Sequence, residues 1–111
     1  MQLKVSDNRV EWSGGHLELP VRVKEAIQLG KLILVIHDYM AYDLKKPAPN
    51  LVAYNLRGER FWAVENLTRG SPTDAYMNFI SEEPLCVGNF LGFDCKIDSR
   101  TGKLIEKIFT K

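Results

Sequence analysis

The side chains best suited to acid–base, nucleophilic or metal chemistry in this chain are two histidines, two cysteines and a scatter of carboxylates. His37-Asp38-Tyr39, with Tyr42-Asp43 close behind, follows the aliphatic run Leu32–Ile36 and is the densest polar cluster. Strand ends carry sites, and an imidazole beside carboxylates can be tuned toward neutral pH. His37, Asp38, Asp43 and Asp74 are therefore the catalytic candidates. The plainer reading is a buried strand ending in a polar loop. Adjacent strand residues also point to opposite faces, which works against His37 and Asp38 acting as one dyad. His16 lies in Ser13-Gly14-Gly15-His16 and reads as an exposed turn residue, and Glu82-Glu83 reads as a solvated turn before Pro84.

A zinc site needs three or four converging ligands, more than this set supplies. No Gly-x-Gly-x-x-Gly, Walker, Gly-x-Ser-x-Gly or His-Glu-x-x-His stretch occurs. Neither metal nor cofactor is expected. Cys86 and Cys95 flank one hairpin turn. A two-residue turn at Leu91-Gly92 would set them diagonally at roughly 7–8 Å, too far for an unstrained disulfide. A four-residue loop over Asn89–Gly92 would set them directly opposite. Free thiols are expected, in keeping with a reducing compartment.

The elements that must position these groups read as strands. Apolar residues recur with period two or in short runs, broken by turn residues every ~8–12 positions, which is the pattern of an all-β domain. Val10–Trp12 and Leu17–Leu19 flank a Gly-Gly turn. Residues 21–29 alternate and lead through Gly30-Lys31 into Leu32–Val35, whose unbroken apolar character implies burial on both faces. A helix over 20–29, opened by Pro20 and closed by Gly30, competes with that strand. Further strands follow at 51–54, 61–64, 75–81, 85–90, 93–98 and 104–109, with loops at 44–50 and 66–74. The expected fold is all-β: one domain over residues 1–111, an antiparallel meander of about eight to ten short strands forming an incomplete barrel or two packed blade-like sheets.

Composition narrows the function. The chain has 111 residues, 45% of them hydrophobic, with 15 Lys and Arg against 14 Asp and Glu, a net charge of +1. Such a balance lacks the field of a nucleic-acid binder, and Lys45-Lys46 is an isolated basic pair. The longest aliphatic run has five residues, far short of the ~20 needed to span a bilayer. With no signal-like apolar stretch at the start, a cytoplasmic protein with no membrane partner is expected.

An internal repeat joins Asn50–Trp62 to Phe93–Ile105. Strands align at an offset of 43 residues and glycines (Gly58, Gly102) at 44. Each copy has an alternating strand, an Asn or Asp (Asn55, Asp98) opening the turn, a Gly supplying positive φ, and a second strand. Leu85–Ile105, with its Thr101-Gly102-Lys103 turn, resembles the blade repeat of quinoprotein-type β-propellers. Trp62 matches the repeat's terminal tryptophan in the first copy, whereas Ile105 or Glu106 stands there in the second. A ring needs at least four blades, more than this length supplies, and the family's cofactor residues have no counterparts here. The chain also resembles small uncharacterised bacterial proteins built on a Tyr-x-x-x-Gly-x-x-x-Trp hairpin.

These observations favour a non-catalytic binding module with a protein partner, of antitoxin or immunity type. The alternative is a small enzyme or ligand-binding protein using His37 and nearby carboxylates. The last strand, Leu104–Phe109, is apolar enough to pair with another chain. An N-terminal hairpin covering it would leave a monomer, and an open edge would allow a homodimer. The covered monomer is the expectation.

Overall fold

The computed structural model describes residues 3–110, which run as eleven strands and a single turn of 3-10 helix at Tyr39–Ala41. β1 (Lys4–Ser6), β2 (Arg9–Trp12) and β3 (Gly15–Glu18) make one antiparallel sheet. β4 (Val23–Leu29), β5 (Leu32–His37), β6 (Leu51–Asn55) and β7 (Arg60–Ala63) make a second. β8 (Tyr76–Glu82), β9 (Leu85–Asn89), β10 (Phe93–Ile97) and β11 (Leu104–Phe109) make the third. Within each sheet, neighbours in space are neighbours in the chain. The fold is all-β, with no closed barrel among the described residues.

The added strand relative to expectation is β1. Its Lys-Val-Ser sequence carries one apolar residue, too little for a period to register, yet it pairs with β2 through Val5↔Val10. The added layer follows from the same segment. Leu3, Val10, Leu17 and Leu19 cover one face of the central sheet, formed by Val23, Ala26, Ile33, Val35, Val52 and Tyr54. The other face, with Ile27, Leu34, Ile36, Leu51, Ala53 and Trp62, packs on Leu85, Val87, Cys95 and Ile97 of the third sheet. β5 sits in the middle, and Ile33 to Ile36 are all fully buried. Its unbroken aliphatic run is thus explained by two apolar partners rather than one.

Residues 23–29 form a strand, not a helix. Gly30, at φ +59°, makes a two-residue turn that sets Leu29 opposite Leu32. The strand begins only at Val23, whose N–H donates to Asp7 O at 2.8 Å.

The two repeat copies occupy equivalent places: β6–β7 and β10–β11 are the third and fourth strands of their sheets. Asn55 Oδ1 accepts from Arg57 N–H and Asp98 Oδ1 from Arg100 N–H, each at 2.9 Å. Gly58 and Gly102 follow at φ +85° and +77°. The copies also touch. A Cβ on Gly102 would lie 2.4 Å from Trp62 Cε3, and the Trp62 indole N–H donates to Ser99 O at 3.0 Å. Trp62 thereby joins the second sheet to the third.

Two expectations are corrected. The β9–β10 turn has three residues, Phe90, Leu91 and Gly92, so Cys95 opposes Val87 and Cys86 opposes Lys96. An odd loop puts the thiols on opposite faces, which neither register considered from sequence allowed, and both are free. The N-terminal hairpin does not cover β11. It packs on β4, with Leu3 N–H donating to Ala26 O at 3.1 Å.

Candidate functional site

His37 closes β5 and is 1% exposed. Its Nδ1 lies 3.1 Å from Val21 O and 3.2 Å from Arg22 O, and its Nε2 lies 2.7 Å from the Tyr54 hydroxyl. Carbonyls only accept, so Nδ1 carries the proton and Nε2 accepts from the Tyr54 O–H. Burial lowers the His37 pKa below its ordinary 6.5, and the nearby Arg60 charge adds to this against the opposing backbone bonds. Burial likewise pushes the Tyr54 phenol up to about 12. A neutral imidazole with both nitrogens engaged has no free position for a substrate.

The nominated carboxylates do not join it. Asp38 Oδ1 accepts from Met40 N–H at 2.9 Å, capping the 3-10 turn, while its Oδ2 lies 3.8 Å from Arg22 Nη1. Asp43 Oδ1 accepts from Lys45 N–H at 2.9 Å in an exposed loop. Asp74 is fully buried. Its Oδ2 accepts from Thr68 N–H (2.7 Å) and Thr68 O–H (3.2 Å); its Oδ1 accepts from Asn89 Nδ2 (2.8 Å) and Asn66 Nδ2 (3.2 Å). All four of these bonds come from N–H or O–H donors.

Asn50, missed from sequence, completes this buried polar seam. Its Nδ2 donates to His37 O at 2.9 Å and Tyr76 O at 2.8 Å, and its Oδ1 accepts from Tyr76 N–H at 2.9 Å. One amide thus ties the end of β5 to the start of β8. The sequence signal was a polar residue set directly before the apolar run Leu51–Tyr54. The seam ties the second sheet to the third through buried, hydrogen-bonded side chains.

A cleft of about 480 Å³ lies at the Gly30 end of β5, one strand length from His37. Leu29, Glu83, Pro84, Lys96, Arg100 and Ile105 are among its walls. None of the nominated residues lines it, and its charges of both signs come from strand ends (Glu82, Lys96) and turns (Glu83, Asp98, Arg100). Among the described residues no three His, Cys, Asp or Glu side chains come together as metal ligands.

What remains is a sheet edge. Unpaired edge strands present a row of free N–H and C=O groups, and proteins usually cover or cap them. The β4 edge is met by the N-terminal segment through Leu3 and Asp7. The β8 edge is capped by β4 side chains: Glu25 Oε1 accepts from Phe79 N–H at 3.0 Å, and Lys24 Nζ donates to Met77 O. Beside β7, Glu65 N–H donates to Gly102 O at 2.9 Å. Along β11, among the described residues, only the first residue is capped, Leu104 N–H donating to Glu65 Oε1 at 2.8 Å.

No other described residue meets the outer side of β11. Thr110 N–H donates to Gly92 O, and the register pairs Ile108 with Asp94 and Glu106 with Lys96. By the alternation of an antiparallel ladder, residues 106, 108 and 110 bond to β10, while Lys107 and Phe109 turn their backbone groups outward. Ile105, Ile108 and Phe109 are 60%, 56% and 61% exposed.

Over residues 1–109 the sequence matches the family described as Domain of unknown function (DUF7957). The chain belongs to this family. No curated protein and no solved structure is significantly similar to it. In this DUF7957 domain His37 and Asp74 are bonded inside the packed sheets, Asp38 and Asp43 bond within their own loops, and the last strand is an open surface feature among the described residues.

Proposed function

We propose that this DUF7957 domain is a non-catalytic protein-binding module that takes an extended strand of a protein partner along β11. The observation that carries the reading is the contrast between edges. β4 is met by backbone and β8 is capped by side chains, and β7 is met just beyond its end at Glu65, whereas among the described residues nothing meets the outward backbone groups of Lys107 and Phe109, beside exposed Ile105, Ile108 and Phe109. Strand addition draws affinity from main-chain hydrogen bonds and specificity from alternate side chains, and such an edge supplies both.

Two consecutive four-stranded meanders with matching hairpins support reading the pair as propeller-type blades left open rather than closed into a ring. An open last blade has a vacant neighbour position. The two free thiols support a reducing, cytoplasmic setting. Full engagement of His37 and Asp74 in internal bonds argues against the enzyme alternative.

The test is affinity capture with immobilised wild-type protein, Ile108→Lys and His37→Gln. The reading expects a stoichiometric protein partner held by wild type and by His37→Gln, and released by Ile108→Lys. Equal retention by all three proteins, or a turnover that depends on His37, refutes it.

A further inference from the structure

We infer that the strand taken up on β11 is β11 of a second copy of this chain, in an antiparallel register centred on Ile108. This rests on the reading of β11 as a docking edge and names its occupant. Two identical antiparallel strands must be related by a two-fold axis perpendicular to the sheet, so a residue opposes its own copy at the axis. Side chains then stay on their original faces, and each register can be judged by the charges it brings together.

Centring on Glu106 sets Glu106 against its copy, and centring on Lys107 sets Lys107 against its copy. Like charges directly opposite destabilise a pair. Registers centred nearer Leu104 meet Glu65, which already caps the Leu104 N–H. Centring on Phe109 runs off the end of the strand. Centring on Ile108 avoids the like-charge pairs and the Glu65 cap and reaches Thr110, one residue past β11, whose N–H already extends the ladder to Gly92 O. It places Ile108 against Ile108, Glu106 against Thr110, and Lys107 against Phe109 on each side of the axis.

The hydrogen-bond parity agrees with this register. Lys107 and Phe109 carry the outward backbone groups, so each Lys107–Phe109 pair forms two bonds across the axis, while Ile108 sits at a non-hydrogen-bonded position. The side chains agree as well. Lys107 Nζ already lies 5.1 Å from the centroid of Phe93, and Phe93 lies 5.3 Å from Phe109, centroid to centroid. The register extends this stack by setting the second copy's Lys107 beside Phe109, a cation on an aromatic face. With a net charge of +1, two copies carry little mutual repulsion. The result is a continuous eight-stranded sheet with its last edges paired.

The experiment uses cysteine cross-linking in the full chain carrying Cys86→Ser, which removes the half-buried native thiol. Residues at a non-hydrogen-bonded antiparallel pair have Cα atoms about 4.5 Å apart, within disulfide range. Ile108→Cys should form a covalent dimer under mild oxidation, and Glu106→Cys should cross-link at least tenfold more slowly. Light scattering of the wild-type chain at concentrations on the order of 100 μM, suited to a small and therefore weak contact, should show a dimer that Ile108→Lys dissociates. Circular dichroism of Ile108→Lys should match wild type, since that side chain is exposed. A wild-type monomer throughout, or cross-linking of Glu106→Cys as fast as Ile108→Cys, overturns the inference. In that event, partner capture by wild type and Ile108→Lys decides the docking edge separately: loss on substitution keeps it, and unchanged capture removes it.

Discussion

Replacing Asp74 by asparagine changes almost no volume and asks whether its carboxylate holds the seam. Both oxygens are spoken for: Oδ2 by the Thr68 N–H and O–H, Oδ1 by the amides of Asn89 and Asn66. An asparagine must turn its NH₂ toward one pair or the other. Toward Thr68 it faces a backbone N–H; toward Oδ1's partners it faces two amide N–H groups. Either way at least two bonds to a charged acceptor are lost and buried donors are left facing a donor. At about 1.5–3 kcal/mol per bond to a charged group, and with some relaxation, the expected loss is about 3–4 kcal/mol. For a domain of this size that is a drop of roughly 10–15 °C in Tm. Urea unfolding followed by circular dichroism measures it, with Asp43→Asn as the control. The control should stay within about 0.5 kcal/mol, because an amide oxygen on an exposed loop can still accept from Lys45. An Asp74→Asn protein within about 1 kcal/mol of wild type refutes the reasoning.

Three further outcomes follow from the same geometry. His37 has a folded-state pKa below the ~6.5 of the unfolded chain, so its contribution to stability is complete above that value and is lost as pH falls through the folded value. His37→Gln should flatten this part of the urea-midpoint profile. Gly102→Ala should cost about 3 kcal/mol, combining left-handed strain with overpacking on Trp62, whereas Gly30→Ala, with open space around it, should cost only about 1 kcal/mol. In a thiol assay Cys86 should react in the native protein, and Cys95, buried and with its thiol pushed up to about 11, should react only after denaturant is added.

Much of the sheet architecture was legible because it is local. Gly30, Gly58 and Gly102 each stand where a turn demands positive φ, and the Asn55 and Asp98 side chains open their turns as the repeat suggests. The aliphatic run of β5 announced burial on both faces, and the repeat mapped onto equivalent strands. What was illegible depends on distant partners or on parity. One residue in the Phe90–Gly92 turn decides which face Cys86 takes, and no local signal counts that residue. The N-terminal hairpin could cover either β4 or β11 by its pattern alone; Leu3, Leu17 and Leu19 fit the apolar face around Val23 and Ile33. His37 and Asp74 looked like chemistry because polar residues after apolar runs do. Their partners come from residues 21–22, 54, 66–68 and 89, and the sequence does not bring those segments together.

Amide hydrogen exchange along residues 106–110, followed by NMR from dilute to concentrated protein, tests the open and occupied edge most directly. At high dilution the Ile108 and Thr110 amides, bonded toward β10, should exchange slowly, and the Lys107 and Phe109 amides should exchange fast. As a second strand docks with rising concentration, Lys107 and Phe109 should become protected while Ile108 changes little. Lys107 and Phe109 amides as slow as Ile108 at the lowest concentration, or fast ones that stay fast when the protein is concentrated and when a captured partner is bound, would contradict the account.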